Sequence, residues 1–155
     1  MSKVMHQTGR IEHAGAIDAD GHILEPPTIW EDYIDPQYRD RALRFRIDEQ
    51  GLEELEIGGQ RSMMSRRGFP ATLGAMGAPD LPAIQKDPAR TYMGEAPFGS
   101  MDPSERLELL DAEGLDAVIL YTTVGLLWEA ELKDPELCQA YTKAYNRWIC
   151  EFCSE

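Results

Sequence analysis

The stretch DPSERLELLDAEGLDAVILY, residues 102–121, narrows the fold more than any other part of the chain. Asp102 has the side chain of an N-cap, Pro103 suits the first helical position, and Glu113-Gly114 supplies a glycine terminus, so a helix is expected between them. LDAVILY follows at once as a continuous apolar run rich in β-formers, the pattern of a parallel strand buried on both faces. A second short strand is expected upstream, at residues 16–20 of AIDADGHILEPP. Strand, helix and strand in that order imply a right-handed βαβ connection if the two strands share a sheet. The fold class is therefore α/β.

The rest of the chain adds pieces around that unit. Residues 1–14 are polar and aperiodic and read as a flexible leader in which His6 and His13 are solvated, leaving residues 15–155 as the domain. A helical turn is expected over Thr28 to Tyr33, with Thr28 as N-cap and Glu31 completing a capping box, closed by the turn residues Asp35-Pro36. In ALRFRIDEQGLEELEIGG, Leu43, Phe45 and Ile47 alternate with charges before a glycine turn, and Leu52, Leu55 and Ile57 follow it. That pattern predicts a β-hairpin over about 42–58. Residues 61–100 hold five of the 13 glycines and five of the 10 prolines and read as a long irregular loop, a kind of segment more often functional or mobile than a mere connector. Within it, Arg66-Arg67 is either an anion contact or a solvated pair. A last helix, capped by Asp134-Pro135 and running to about Cys153, carries an apolar stripe of Leu137, Tyr141, Ala144, Tyr145, Trp148, Ile149 and Phe152 that calls for a packing partner.

Bulk properties limit the function classes. With 155 residues the chain suffices for one domain with a core, no run approaches the roughly 18 apolar residues of a membrane span, and the N-terminus lacks a secretory apolar region. A soluble, cytoplasmic protein with no membrane association is the expectation. The formal charge of −13 argues against a nucleic-acid partner, whose phosphates call for basic surface. Cys138, Cys150 and Cys153 are odd in number and fit free thiols; the C-x-x-C of Cys150 and Cys153 lacks a second half and is expected to pack as small apolar side chains.

Chemistry concentrates in AIDADGHILEPP. Strand alternation directs Asp18, Asp20 and His22 to one face and Ile17 and Ala19 to the other. Polar residues at the carboxyl end of a parallel strand occupy the place where α/β folds build their sites. An Asp-x-His pair offers one hard oxygen and one imidazole nitrogen that can reach a single divalent ion; helix capping or a turn hydrogen bond is the alternative. Glu25 is a further carboxylate nearby, in what the following prolines mark as a structural turn.

IDADGHILEPPTIWEDYIDPQYRDRA resembles the N-terminus of the amidohydrolase-related family, metal-dependent (β/α)8-barrel hydrolases that include aminocarboxymuconate-semialdehyde decarboxylase-like enzymes. DPSERLELLDAEGLDAVILYTTVGL resembles the family's first barrel helix and second strand, and DPELCQAYTKAYNRWICEFCSE the helix after it. The resemblance implies that Asp20 and His22 stand where the family's metal-binding H-x-H does. The implied cofactor is a divalent ion, with Zn, Mn or Fe as candidates, and the oxygen ligand shifts preference toward harder ions. Thr122 and Thr123, directly after the second strand, become candidate contacts to a small-molecule substrate. A whole barrel needs about 250 residues and eight strands, and only two barrel-type strands are legible here. The chain thus reads as an N-terminal fragment of a (β/α)8 barrel with an inserted hairpin, its catalytic residues expected on strands it lacks. Hydrolysis of C–N or C–O bonds by metal-activated water is the first expected activity of the intact enzyme, and non-oxidative decarboxylation the second. The fragment itself is expected to be inactive and to self-associate through exposed apolar surface, because the stripe of the last helix and the apolar strand at 116–121 would lack neighbours.

Overall fold

A computed structural model describes residues 5, 9–76, 78 and 80–154. The chain runs from a strand, Ile17–His22 (β1), through a short helix, Ile29–Tyr33 (α1), and a 3-10 turn at Pro36–Arg41. A three-stranded antiparallel sheet follows, made of Arg44–Ile47 (β2), Glu53–Ile57 (β3) and Gln60–Arg61 (β4). Three short helices come next, Phe69–Gly74 (α2), Leu81–Ile84 (α3) and Tyr92–Glu95 (α4). The helix Pro103–Glu113 (α5) leads into the strand Ala117–Tyr121 (β5), and Gly125–Glu131 (α6) and Pro135–Phe152 (α7) end the described fold.

The expected βαβ unit is present: β1 and β5 form a two-stranded parallel sheet with α5 between them in sequence. The Asp102 side chain accepts the Glu105 N–H, and Gly114 takes the left-handed conformation with φ 75°, so both helix signals act as the sequence predicts. β1 extends to His22, two residues past the expected end. One expectation about β5 is corrected. It is not buried on both faces, because β1 is its only strand neighbour among the described residues; Ile119 is 51% and Tyr121 47% exposed.

The hairpin forms as the alternation predicts, with Phe45 opposite Leu55 and Arg44 opposite Glu56. Its turn is closed by Asp48, whose Oδ1 accepts the N–H groups of Gln50 and Leu52, while Gly51 adopts φ 82°. The capping box at Thr28 does not form. Thr28 already has helical φ and ψ, whereas a side-chain cap needs an extended N-cap residue, so its carbonyl rather than its hydroxyl serves the turn. Residues 61–100 are less irregular than expected, since α2, α3 and α4 lie within them. Of the expected leader, residues 1–4 and 6–8, including His6, lie outside the described residues. Ile11 N donates to Glu113 O at 2.7 Å and Arg10 to Asp111 O at 2.8 Å, which ties residues 10–11 to the end of α5.

The stripe of α7 finds its partner. Leu137, Tyr141, Ala144, Trp148 and Phe152 are buried, and Ala140 joins them. Trp30 of α1 is fully buried against this face, 5.7 Å from the Tyr141 ring and stacked 6.5 Å from Tyr145. Tyr141 also reaches the hairpin: its hydroxyl donates to Arg41 O and accepts from Gly58 N. This aromatic layer is the main core. Cys150 and Cys153 lie outside it, exposed, because they sit on the solvent side of α7; the expectation that they pack as apolar side chains is corrected.

Candidate functional site at the carboxyl end of the parallel strands

The site grows out of the pairing of β1 with β5. Ile17 pairs with Ala117 and Asp18 with Val118; after an irregularity, Gly21 pairs with Leu120 and His22 with Tyr121. Ala19 and Asp20 therefore stand together opposite Ile119, a bulge that shifts the face alternation by one position. Asp18 consequently shares a face with Gly21: a Cβ placed on Gly21 would strike Val118 Cγ2 and lie 3.1 Å from Asp18 Oδ2. His22 falls on the opposite face with Ile17 and Tyr121. The expectation that Asp18, Asp20 and His22 share one face is corrected by this extra residue. Asp20 belongs to the bulge and has no register partner on β5; like His22, two residues on, it is exposed.

His22 is held through one ring nitrogen. Its Nδ1 lies 3.0 Å from the Thr122 carbonyl oxygen and 3.2 Å from Thr123 Oγ1. A carbonyl can only accept, so Nδ1 carries the proton and the lone pair is left on Nε2. That is the arrangement in which an imidazole ligates a metal with its second nitrogen oriented by the protein. Asp20 is exposed, and its N–H donates to Asp18 Oδ1 at 3.0 Å.

Glu25, three residues beyond His22, is the group that the sequence undervalues. It is completely buried. Its Oε1 accepts the N–H groups of Thr123 at 3.1 Å and Gly125 at 3.0 Å together with the Thr122 hydroxyl, and its Oε2 accepts the Val124 N–H at 2.9 Å. Four donors on one carboxylate offset the large cost of removing its charge from water. Thr122 and Thr123 thus turn their hydroxyls to Glu25 and His22, which brings three of the residues after the two strand ends into one hydrogen-bonded ring. Tyr92 closes the far side, donating its hydroxyl to the Glu25 carbonyl oxygen at 3.1 Å. Burial, and then the Glu25 charge, push the Tyr92 phenol far above its ordinary range.

Arg106, from the first turns of α5, reaches the same strand end, with Nη2 donating to His22 O at 2.9 Å. Burial lowers its guanidinium below the ordinary value, and the charges of Asp18 and Glu113 oppose the shift. A cleft of about 240 Å³ opens beside it, lined by His22, Leu24, Phe98, Ser100, Arg106 and Leu109 among others. Among the described residues no group of three His, Cys, Asp or Glu side chains is placed to hold a metal ion, so Asp20 and His22 stand as a pair. Arg66 does not reach this cleft: it bonds Ser62 O and Met63 Sδ, while Arg67 lines a separate surface pocket with Asp48 and Glu54.

No family model matches the chain, and no curated protein matches it in sequence. Its fold does match a solved one. A crystal structure of an amidohydrolase from Mycobacterium avium subsp. paratuberculosis K-10 superposes with a TM-score of 0.62 at 21% identity, over 94% of this chain. At that identity the likeness establishes the architecture: a mixed α/β fold of the kind found in part of an amidohydrolase. The chain spans 39% of the length of that structure. No helix among the described residues is long and apolar enough to cross a membrane.

Proposed function

We propose that this chain carries half of a divalent-metal site, made by Asp20 and His22, and corresponds to the N-terminal part of an amidohydrolase-related hydrolase acting on C–N or C–O bonds. The observation that carries the reading is the state of His22 at the end of β1. Its Nδ1 proton is committed to the Thr122 carbonyl, which frees Nε2 for a ligand, with the exposed Asp20 two residues away. A bound ion would supply an activated water there. The chain's own residues contribute one carboxylate oxygen and one oriented imidazole, while Arg106 braces the main chain of His22 from the other face of β1. A catalytic metal centre uses about three protein ligands, and this pair supplies two, so we assign the 155-residue chain by itself no turnover.

Equilibrium dialysis of the chain against zinc, manganese and iron tests the site. Wild type should take up one ion weakly, and His22→Gln and Asp20→Ala should each abolish uptake; equal uptake by wild type and both variants would sink the proposal. In a longer protein containing the chain, release of CO₂ from carboxylic acids measured against cleavage of esters, lactones and amides separates decarboxylase from hydrolase.

A second reading concerns the chain as it stands, and rests on the uncovered sheet. Ile17 is 60% exposed and Ile119 51%, side by side on the open face of β1 and β5. Such a surface favours self-association. The stripe of α7, also expected to contribute, is covered by α1 and the hairpin and does not.

A further inference from the structure

We propose that Glu25 is a positioning residue for His22, fixing its imidazole as the Nδ1–H tautomer through the turn at residues 122–125. The inference deepens the metal-site reading and rests on it for its purpose, though not for its geometry.

Two independent sets of bonds meet at that turn. From one side, the Glu25 carboxylate takes the N–H groups of Thr123, Val124 and Gly125 and the Thr122 hydroxyl. From the other, His22 Nδ1 donates to the Thr122 carbonyl, with Thr123 Oγ1 beside it. The acceptors that decide where the imidazole proton sits therefore belong to the residues that Glu25 immobilises. His22 ends β1 and Glu25 follows three residues on, and both grip the same turn after β5, so ring orientation is set by a closed circuit rather than by one bond.

Gly125 shows how close this grip is. A Cβ there would collide with Thr122 Oγ1 and lie 3.2 Å from Glu25 Oε1, so the carboxylate occupies the space a side chain would take. Among the described residues nothing else competes for the Glu25 carboxylate: it is 0% exposed, its oxygens act as acceptors only, and no cation is bonded to it. A buried charge without a counter-ion is costly unless its donors are fixed. Here the donors are the backbone of the turn, which makes the stability of the carboxylate and the order of the turn one property. Ligating histidines depend on such outer partners for their tautomer, and here the outer partner is itself held from beneath.

Glutamine in place of Glu25 keeps the shape and breaks the pattern. Whichever way the amide is placed, its NH₂ faces a backbone N–H or the Thr122 hydroxyl in place of an acceptor oxygen. The turn then loosens, and the ring is released toward the Nε2–H form that an unrestrained histidine side chain prefers.

The test is ¹⁵N correlation spectroscopy of the imidazoles in the full chain, at a pH well above the ordinary imidazole value of about 6.5. The His22 signals are assigned by their loss in His22→Gln. Wild type should show the proton on Nδ1, and Glu25→Gln should shift the population toward Nε2–H. Tyr92→Phe removes a hydroxyl bonded to the Glu25 main chain and leaves its carboxylate alone, so it should keep the wild-type tautomer. Should Glu25→Gln fail to fold, Thr122→Val, which deletes one donor to Glu25 while retaining the carbonyl that His22 uses, should give the same shift with smaller amplitude. A wild-type His22 protonated on Nε2, or a folded Glu25→Gln or Thr122→Val with the wild-type tautomer, would overturn the inference. Zinc that leaves the wild-type His22 signals unmoved would overturn the metal reading alone, so the two failures are told apart.

Discussion

Asp18 and His22 belong to one strand and face opposite ways: Asp18 pairs with Val118 on the face toward Arg106, and His22 pairs with Tyr121 on the open face. The bulge at Ala19 and Asp20 thereby separates a structural carboxylate from a candidate ligating one. Asp18→Asn should lower stability by about 1 kcal/mol, at the low end for a charge partner because Arg106 is only partly buried. It should leave zinc affinity unchanged. Asp20→Asn should do the reverse, with stability within about 0.5 kcal/mol of wild type and ion uptake lost. Urea midpoints and dialysis on the two variants check the separation, and a shared loss of ion uptake would contradict it.

Gly125→Ala is a sharper probe of packing at the turn. The added methyl collides with Thr122 Oγ1, which cannot retreat without giving up its bond to Glu25. Overpacking of this kind costs about 1–3 kcal/mol. A lowered thermal midpoint is expected.

Local signals carried most of the fold, and long-range partners decided the rest. Asp102 and Gly114 bound their helix, and Leu55 and Phe45 pair across the hairpin, because caps and alternation act within a few residues. Thr28 shows the limit: its spacing to Glu31 suits a capping box, yet Thr28 takes helical φ and ψ in the segment that packs Trp30 on α7. The bulge was invisible because it is a property of two strands about 100 residues apart in sequence. Glu25 was undervalued for the same reason. Its neighbours Pro26 and Pro27 announce a turn, whereas its donors lie at Thr122 to Gly125. A glutamate so close to two prolines and a strand-end histidine was the available signal, and only the tertiary structure gives it a partner.

Glu53 gives the stability curve a predictable slope. Its carboxyl is raised by partial burial, against the smaller pull of the Tyr92 N–H that it accepts at 2.6 Å. Between its unfolded and its higher folded value the native state binds more protons than the unfolded one. The contribution is therefore fully present below the unfolded value of about 4.3 and lost as pH rises through the folded one. Glu53→Gln, whose carbonyl can still accept from Tyr92, should be more stable than wild type at about pH 7. The gain should be under about 1 kcal/mol, given the solvent around the group. Urea midpoints at about pH 7 and about pH 4 check this, and the gain should vanish at the lower pH.

The open face of the β1–β5 sheet makes the last prediction. Ile17, Ile119 and Tyr121 are each about half exposed or more, on strands that pair only with each other among the described residues. Apolar side chains beside free strand edges are the combination that recruits further strands. The chain should therefore show a concentration-dependent apparent mass in sedimentation and should bind a dye that reports exposed apolar surface. Ile17→Glu with Ile119→Glu should suppress both without unfolding the aromatic core around Trp30 and Tyr141, to which neither isoleucine belongs. Because His22 shares the open face, association should also mask it, so ion uptake by the double variant should be equal to or greater than that of wild type. Dye binding unchanged by the two substitutions would place the association elsewhere.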